Sequence, residues 1–188
     1  MMQDEQVLAA VTSWLKEVVI GHNFCPFAGP VWQQQNVRLS VSSAASEEAV
    51  LNDLLLQIRA LEGDKQVETT LLIVPHLFAQ FADFNQFLQS ADELLNLLQL
   101  EGVFQIASFH PDYTFAGVAI DDATNYTNRA PYPILHVLRE ASVEKAVAQY
   151  PQVDEIPARN IAHIEQLSDS DLHRLKSFSN SSIGSTRK

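Results

Sequence analysis

Three short apolar runs, residues 36–42, 69–74 and 103–109, alternate with two long amphipathic stretches, and this order constrains the fold more than any other feature of the chain. The first run alternates apolar and polar residues, the pattern of a half-covered strand. The second, Thr69 to Val74, is continuous and reads as a strand buried on both faces. The third, Val103 to Phe109, ends at His110-Pro111. Between the first two, Ser46 followed by Glu47 and Glu48 marks a helix start. Val50, Leu54, Leu55, Ile58 and Leu61 line one face of that helix, and Gly63 ends it. A second helix, from about Phe78 to Leu100, carries Phe81, Phe84, Leu88, Ala91, Leu94, Leu95 and Leu98, with Gly102 behind it. Strand, helix, strand, helix, strand predicts parallel neighbours joined by right-handed crossovers.

The flanks add helices. Val7, Val11, Trp14, Leu15 and Val18 predict a helix over residues 3–20, stopped by Gly21. Pro133 fits a first helical position, so Ile134, Leu135, Val137 and Leu138 predict a helix there. Ser142 caps a further piece to Tyr150, and residues 157–167 and 169–178 predict two more helices. Residues 111–132 have no strong period, with a short strand expected over Tyr113–Ile120. The expected fold is α/β: a three- to four-stranded, mostly parallel sheet flanked by helices, with a helical C-terminal extension. The alternative is an α+β sandwich with an antiparallel hairpin around residues 105–120. Residues 1–178 are expected to form one domain and residues 179–188 a polar tail.

Hydrophobic residues make up 46% of the chain, enough for a core without staples. A single cysteine, Cys25, excludes an internal disulfide and fits a reducing, cytoplasmic setting. No apolar run approaches the roughly 20 residues of a membrane span, and the N-terminus lacks the pattern of a signal peptide. The 12 Lys and Arg are scattered against 23 Asp and Glu, for a net charge of -11, which makes nucleic acid a poor partner and leaves a soluble, acidic chain.

In a parallel sheet, ligands bind beyond the carboxyl ends of the strands. Those positions hold Ser42-Ser43, Pro75-His76 and His110-Pro111-Asp112. His110 follows a buried strand and can serve as acid, base or ligand; it can equally hydrogen-bond a loop carbonyl. His76, between an apolar strand and an aromatic helix, fits a structural role. The stretch Asn125-Tyr126-Thr127-Asn128-Arg129-Ala130-Pro131-Tyr132-Pro133 feeds the expected helix, whose free N–H groups would form an anion site beside the Arg129 fork. The other reading of this stretch is Asx turns, with Arg129 paired to Asp121 or Asp122. His136 and Arg139, three apart, would share a helix face next to it. Cys25, flanked by Phe24 and Phe27, is a buried small hydrophobe unless a histidine or helix terminus activates it.

Asn23-Phe24-Cys25-Pro26-Phe27-Ala28, Phe109-His110-Pro111-Asp112-Tyr113-Thr114-Phe115-Ala116-Gly117, the Asn125–Pro133 stretch and His136-Val137-Leu138-Arg139-Glu140 together resemble the bacterial and plastid family called domain of unknown function 1415. Ile156-Pro157 and Arg159-Asn160-Ile161 resemble its late segment. The resemblance runs from the first helix to about residue 165, and it implies positions without a mechanism. The chain departs from the pattern at His22, where an apolar residue is expected, and at Ala130, where a serine is.

Three functions follow as expectations. The first is an enzyme acting on a small anionic metabolite. Asn125, Asn128, Arg129, Arg139 and Tyr113 would hold it, His110 or His136 would move a proton, and Cys25 would be a nucleophile. The second is a metal site from His110, His136 and one of Asp112, Asp121 or Cys25, although no close-spaced ligand pair supports it and no cofactor is indicated. The third is a ligand-binding or protein-interaction module without catalysis, in which the loop is a structural hub or partner surface.

Overall fold

A computed structural model describes residues 2–180. The helix expected at the N-terminus is α1 (Met2–Trp14), continued by a wide π-helical turn, Leu15–Ile20. Gly21 does end it, but with φ at -61° and no left-handed turn. A Cβ on Gly21 would lie 2.3 Å from the Glu17 carbonyl oxygen, so only glycine lets the chain leave so closely against the helix. The short α2 (Ala28–Gln33) follows this bend.

β1 (Val37–Val41), α3 (Glu47–Gly63), β2 (Thr69–Ile73), α4 (Phe81–Leu97) and β3 (Phe104–Phe109) follow as the sequence predicts. The Ser46 hydroxyl accepts the Ala49 N–H and caps α3. After β3, residues 110–122 form turns, so the strand expected over Tyr113–Ile120 is absent, and a 3₁₀ turn follows at Ala123–Thr127.

The largest departure comes next. Residues after Pro133 form a strand, β4 (Ile134–Arg139), where a helix was expected. A short run such as Ile-Leu-His-Val-Leu fits a buried strand as well as a helix, and only its partners decide. β4 finds two. The sheet order among the described residues is β1-β2-β4-β3, with β4 antiparallel to both neighbours. Among the described residues only β1 and β2 form a parallel pair. The mostly parallel sheet is therefore corrected to a mixed one, and the reason is the single inserted strand. β1, β2 and β3 still run one way.

Because β4 enters from the opposite end, its first residues meet the carboxyl ends of the other three. Ile134 pairs with Ile73 and with Phe109, and the Val74 N–H donates to the Pro133 carbonyl at 2.9 Å. Ser42, Val74, His110 and Pro133 thus share one edge of the sheet.

Each face of the sheet has its own core. Leu72, Val74, Leu135 and Val137 pack against Leu54 and Ile58 of α3 and Phe84 and Phe87 of α4. Leu71, Ile73 and Ile134 point the other way, to Val11 and Trp14 of α1 and to Ile164 and Leu175. This alternation explains why β2 reads as continuously apolar. Ile164 and Leu175 come from α6 (Ile156–Glu165) and α7 (Asp169–Asn180), which follow α5 (Glu140–Ala148). Ser142 lies inside α5, and its hydroxyl goes to Glu68 instead of a cap. Ser179, expected in the tail, belongs to α7 and is buried; residues 181–188 of that tail lie outside the described residues. No helix among the described residues is long and apolar enough to cross a membrane.

One polar group in the first core has no partner. Thr70 is fully buried and its hydroxyl makes no hydrogen bond. A buried unsatisfied hydroxyl costs about 1–3 kcal/mol. Thr70→Val keeps the shape and removes the hydroxyl, so it is expected to raise the urea unfolding midpoint, by about 1 kcal/mol in stability. A lower midpoint would show that the hydroxyl is satisfied.

Candidate functional site

The shared sheet edge is where the sequence placed its candidates, and His110 stands at its centre. The residue is 1% exposed. Its Nδ1 accepts the Asp112 N–H at 3.0 Å, so Nε2 carries the proton and donates to the Phe78 carbonyl at 2.8 Å. Phe81 and Phe84 flank the ring, each at 5.4 Å between centroids. Desolvation lowers its pKa below the ordinary imidazole value and keeps it neutral, against the Phe78 carbonyl and Asp112, which pull the other way. Both nitrogens are occupied. What His110 holds is unusual: Phe78 has a φ of 63°, a left-handed conformation that a bulky residue rarely adopts. The imidazole therefore pins a strained turn at the entry to α4.

Four more candidates gather on the same loop. The side chain of Asn125 is fully buried: Oδ1 accepts the Phe115 N–H at 3.0 Å, and Nδ2 donates to the Ala119 carbonyl at 2.8 Å. Arg129 donates from Nε to the Tyr113 carbonyl at 3.1 Å and from a terminal nitrogen to the Ile120 carbonyl at 2.6 Å, while its guanidinium lies over the Tyr126 ring at 4.4 Å. Its fork thus meets carbonyls of its own loop, where the sequence left Asp121 and Asp122 as partners. Asn128 uses its backbone carbonyl to accept the His110 N–H at 3.3 Å. Tyr113 packs on Phe81 and Phe115; burial raises its phenol pKa, opposed by a hydrogen bond with Ser108. The indole of Trp14 reaches up from α1 to the Arg129 carbonyl at 2.8 Å. These residues converge, and the polar atoms of Asn125 and Arg129 close on the loop's own backbone.

The other three candidates lie elsewhere. A strand turns residues three apart to opposite faces. His136 therefore points to the α1 side and Arg139 to the α3 side, and the shared helical face expected for them does not exist. The anion site at a helix start after Pro131 is likewise absent, because β4 begins there and the next helix starts at Glu140. Arg139 donates to the Val67 carbonyl at 3.1 Å and to the Asp64 carbonyl at 2.9 Å, closing the C-terminal end of α3. The His136 Nε2 meets the Thr69 hydroxyl at 2.6 Å; that hydroxyl donates to the Val137 carbonyl, so the imidazole N–H is the donor. Desolvation lowers the His136 pKa to about 4. Cys25 is half-buried in the bend after the π turn. Burial raises its pKa, outweighing the backbone N–H groups of Phe27 and Ala28 and the charge of Arg159, so the group is a thiol at neutral pH.

Sequence reasoning passed over two features. Arg159 and Asn160 of α6 donate to the carbonyls of Asn23 and Phe24, at 2.9 and 2.8 Å, and so hold the Cys25 bend. The match of Arg159-Asn160 to a family segment was the available signal. A groove of about 370 Å³ also opens between the starts of α3 and α4, floored by Leu77, Phe78 and Phe87 and rimmed by Glu47, Asp83 and Glu93. Three carboxylates without a lining cation repel an anion. No group of three or more His, Cys, Asp or Glu among the described residues is arranged to hold a metal ion.

Two outcomes follow. Asn125→Asp keeps the acceptor for Phe115 but loses the donor to Ala119, and is expected to destabilise the chain by about 2–4 kcal/mol in urea unfolding. An unchanged midpoint would show that the loop does not need the amide. For His136, the folded pKa lies below the ordinary 6.5, so the unfolded chain binds protons first. Stability is full above about pH 6.5 and declines as pH falls toward about 4, by on the order of 2–3 kcal/mol from this residue. Comparing urea unfolding of the wild type and His136→Gln across that range checks it; equal pH slopes would remove His136 as the source.

Comparison with curated proteins and with solved structures gives no match. A family model described as protein of unknown function (DUF1415) matches residues 6–174, nearly the whole chain, and the resemblance noted in the motifs is thereby borne out: the protein belongs to this family.

Proposed function

We propose that this chain is a non-catalytic interaction module, and that its braced loop, residues 113–122, is the surface it offers to a protein partner. The observation that carries this reading is the contrast between the two sides of the loop. On the inside, Asn125 and Arg129 hold the backbone of Tyr113, Phe115, Ala119 and Ile120. On the outside stand Ala116, Gly117, Ala119 and Ile120, with Ile120 70% exposed. An irregular loop held in one shape loses little entropy on binding, and its exposed apolar tip supplies the contact. The neutral His110, with both ring nitrogens occupied, fits this reading as a support of the same architecture.

Ile120→Asp should abolish retention of a partner from cell extract, whereas Leu97→Asp, at a still more exposed leucine on α4, should retain it. Equal retention by both variants would refute the loop as the binding surface. Thermal-shift measurement with phosphorylated and carboxylated metabolites should give no concentration-dependent rise in Tm. A saturable rise would instead support the small anionic ligand suggested by the sequence.

A further inference from the structure

Away from the loop, two imidazoles far apart in the sequence meet. His22 lies in the bend after the π turn and His163 in the last turn of α6, and Nδ1 of the first is 3.0 Å from Nε2 of the second. Phe24 stacks on His22 at 5.4 Å with an angle of 20°, and meets His163 edge-on. We propose that His22 and His163 form a proton-operated latch, closed at neutral pH and released in acid, that fastens α6 to the bend carrying Asn23, Phe24 and Cys25.

The argument is one of proton positions. A neutral imidazole has one N–H and one bare nitrogen, so a neutral pair places one proton between the facing nitrogens. A first added proton goes to the bare outer nitrogen of the donor ring, and the bond becomes charge-assisted. A second has only the accepting nitrogen left. It would set N–H against N–H and two cations in contact, so the pair separates.

The surroundings disfavour a charge on His22. Burial and then His163 lower the proton affinity of His22; Asp171 of α7 raises it, and Arg174 of α7 opposes protonation. Arg174 is itself paired with Glu17 of the π turn. Arg159, one turn back on α6, adds a further positive charge, donating to Asn23 and to the Tyr150 hydroxyl. Of the charged groups that act on His22, Arg174 is engaged with Glu17 and Asp171 accepts from the Ser168 hydroxyl. The latch lies where opening has a consequence: α6 also packs on the Ala123–Thr127 turn.

Amide hydrogen exchange of the full chain tests this at about pH 7.5 and about pH 5, on either side of the ordinary imidazole range, with rates corrected for intrinsic exchange. Protection of α6 and of residues 21–25 is expected to fall by about tenfold or more in acid relative to α3 and α4, as a loss of local stability requires. His22→Phe keeps the stack on Phe24 and removes the shared proton; its α6 should show no such relative fall. His163→Gln serves in its place if that variant does not fold. Parallel changes in α6 and in α3 and α4 of the wild type, or the same acid response in wild type and variant, would overturn the latch.

Discussion

A long irregular loop laid over the edge of a sheet leaves backbone N–H and C=O groups that no ladder can pair, and meeting that demand is the constraint on which this structure depends. Buried backbone groups without partners are costly, so they must be paired from side chains. Asn125 and Arg129 do this for the loop between β3 and β4. An amide with both donor and acceptor, and a guanidinium with donors at fixed angles, suit that work better than any apolar residue. His110 extends it to a second element by holding Phe78 in its left-handed turn.

The same logic repeats at the other end of the chain. The bend at Asn23 and Phe24 is irregular, and α6 supplies Arg159 and Asn160 to its carbonyls. At the end of α3, Arg139 reaches the Leu61 carbonyl that the last turn leaves open and the Asp64 and Val67 carbonyls just beyond it. Apart from His136, which lies within β4, residues that read as a catalytic inventory when met along the sequence thus lie at three separate junctions. Each junction joins irregular backbone to a regular element, and a polar side chain makes the joint.

Much of the architecture was legible in advance, for reasons that differ by element. α3 and α4 are long enough for their period to be unambiguous, and the capping hydroxyl of Ser46 marks a boundary by itself. β1, β2 and β3 are bounded by prolines, glycines and polar turns. β4 was not legible, because six residues of apolar character suit either period. That one misreading carried three others with it. It turned a mixed sheet into a parallel one, put His136 and Arg139 on one face, and invented a helix terminus for an anion. For the site, the types and positions of the polar residues could be read, but not what they touch. Arg129 looks the same in sequence whether its fork meets a ligand or the carbonyls of Tyr113 and Ile120.

By itself the sequence determined the elements with strong periodicity, the caps that end them, the amount of apolar material and the membership of a family. These depend on neighbours within a few residues, or on composition. Only the tertiary structure decided the insertion of β4 between β2 and β3, the meeting of His22 with His163, and the direction in which each polar side chain of the loop donates. Those depend on partners tens of residues away, and a hydrogen bond has a direction that no local pattern records.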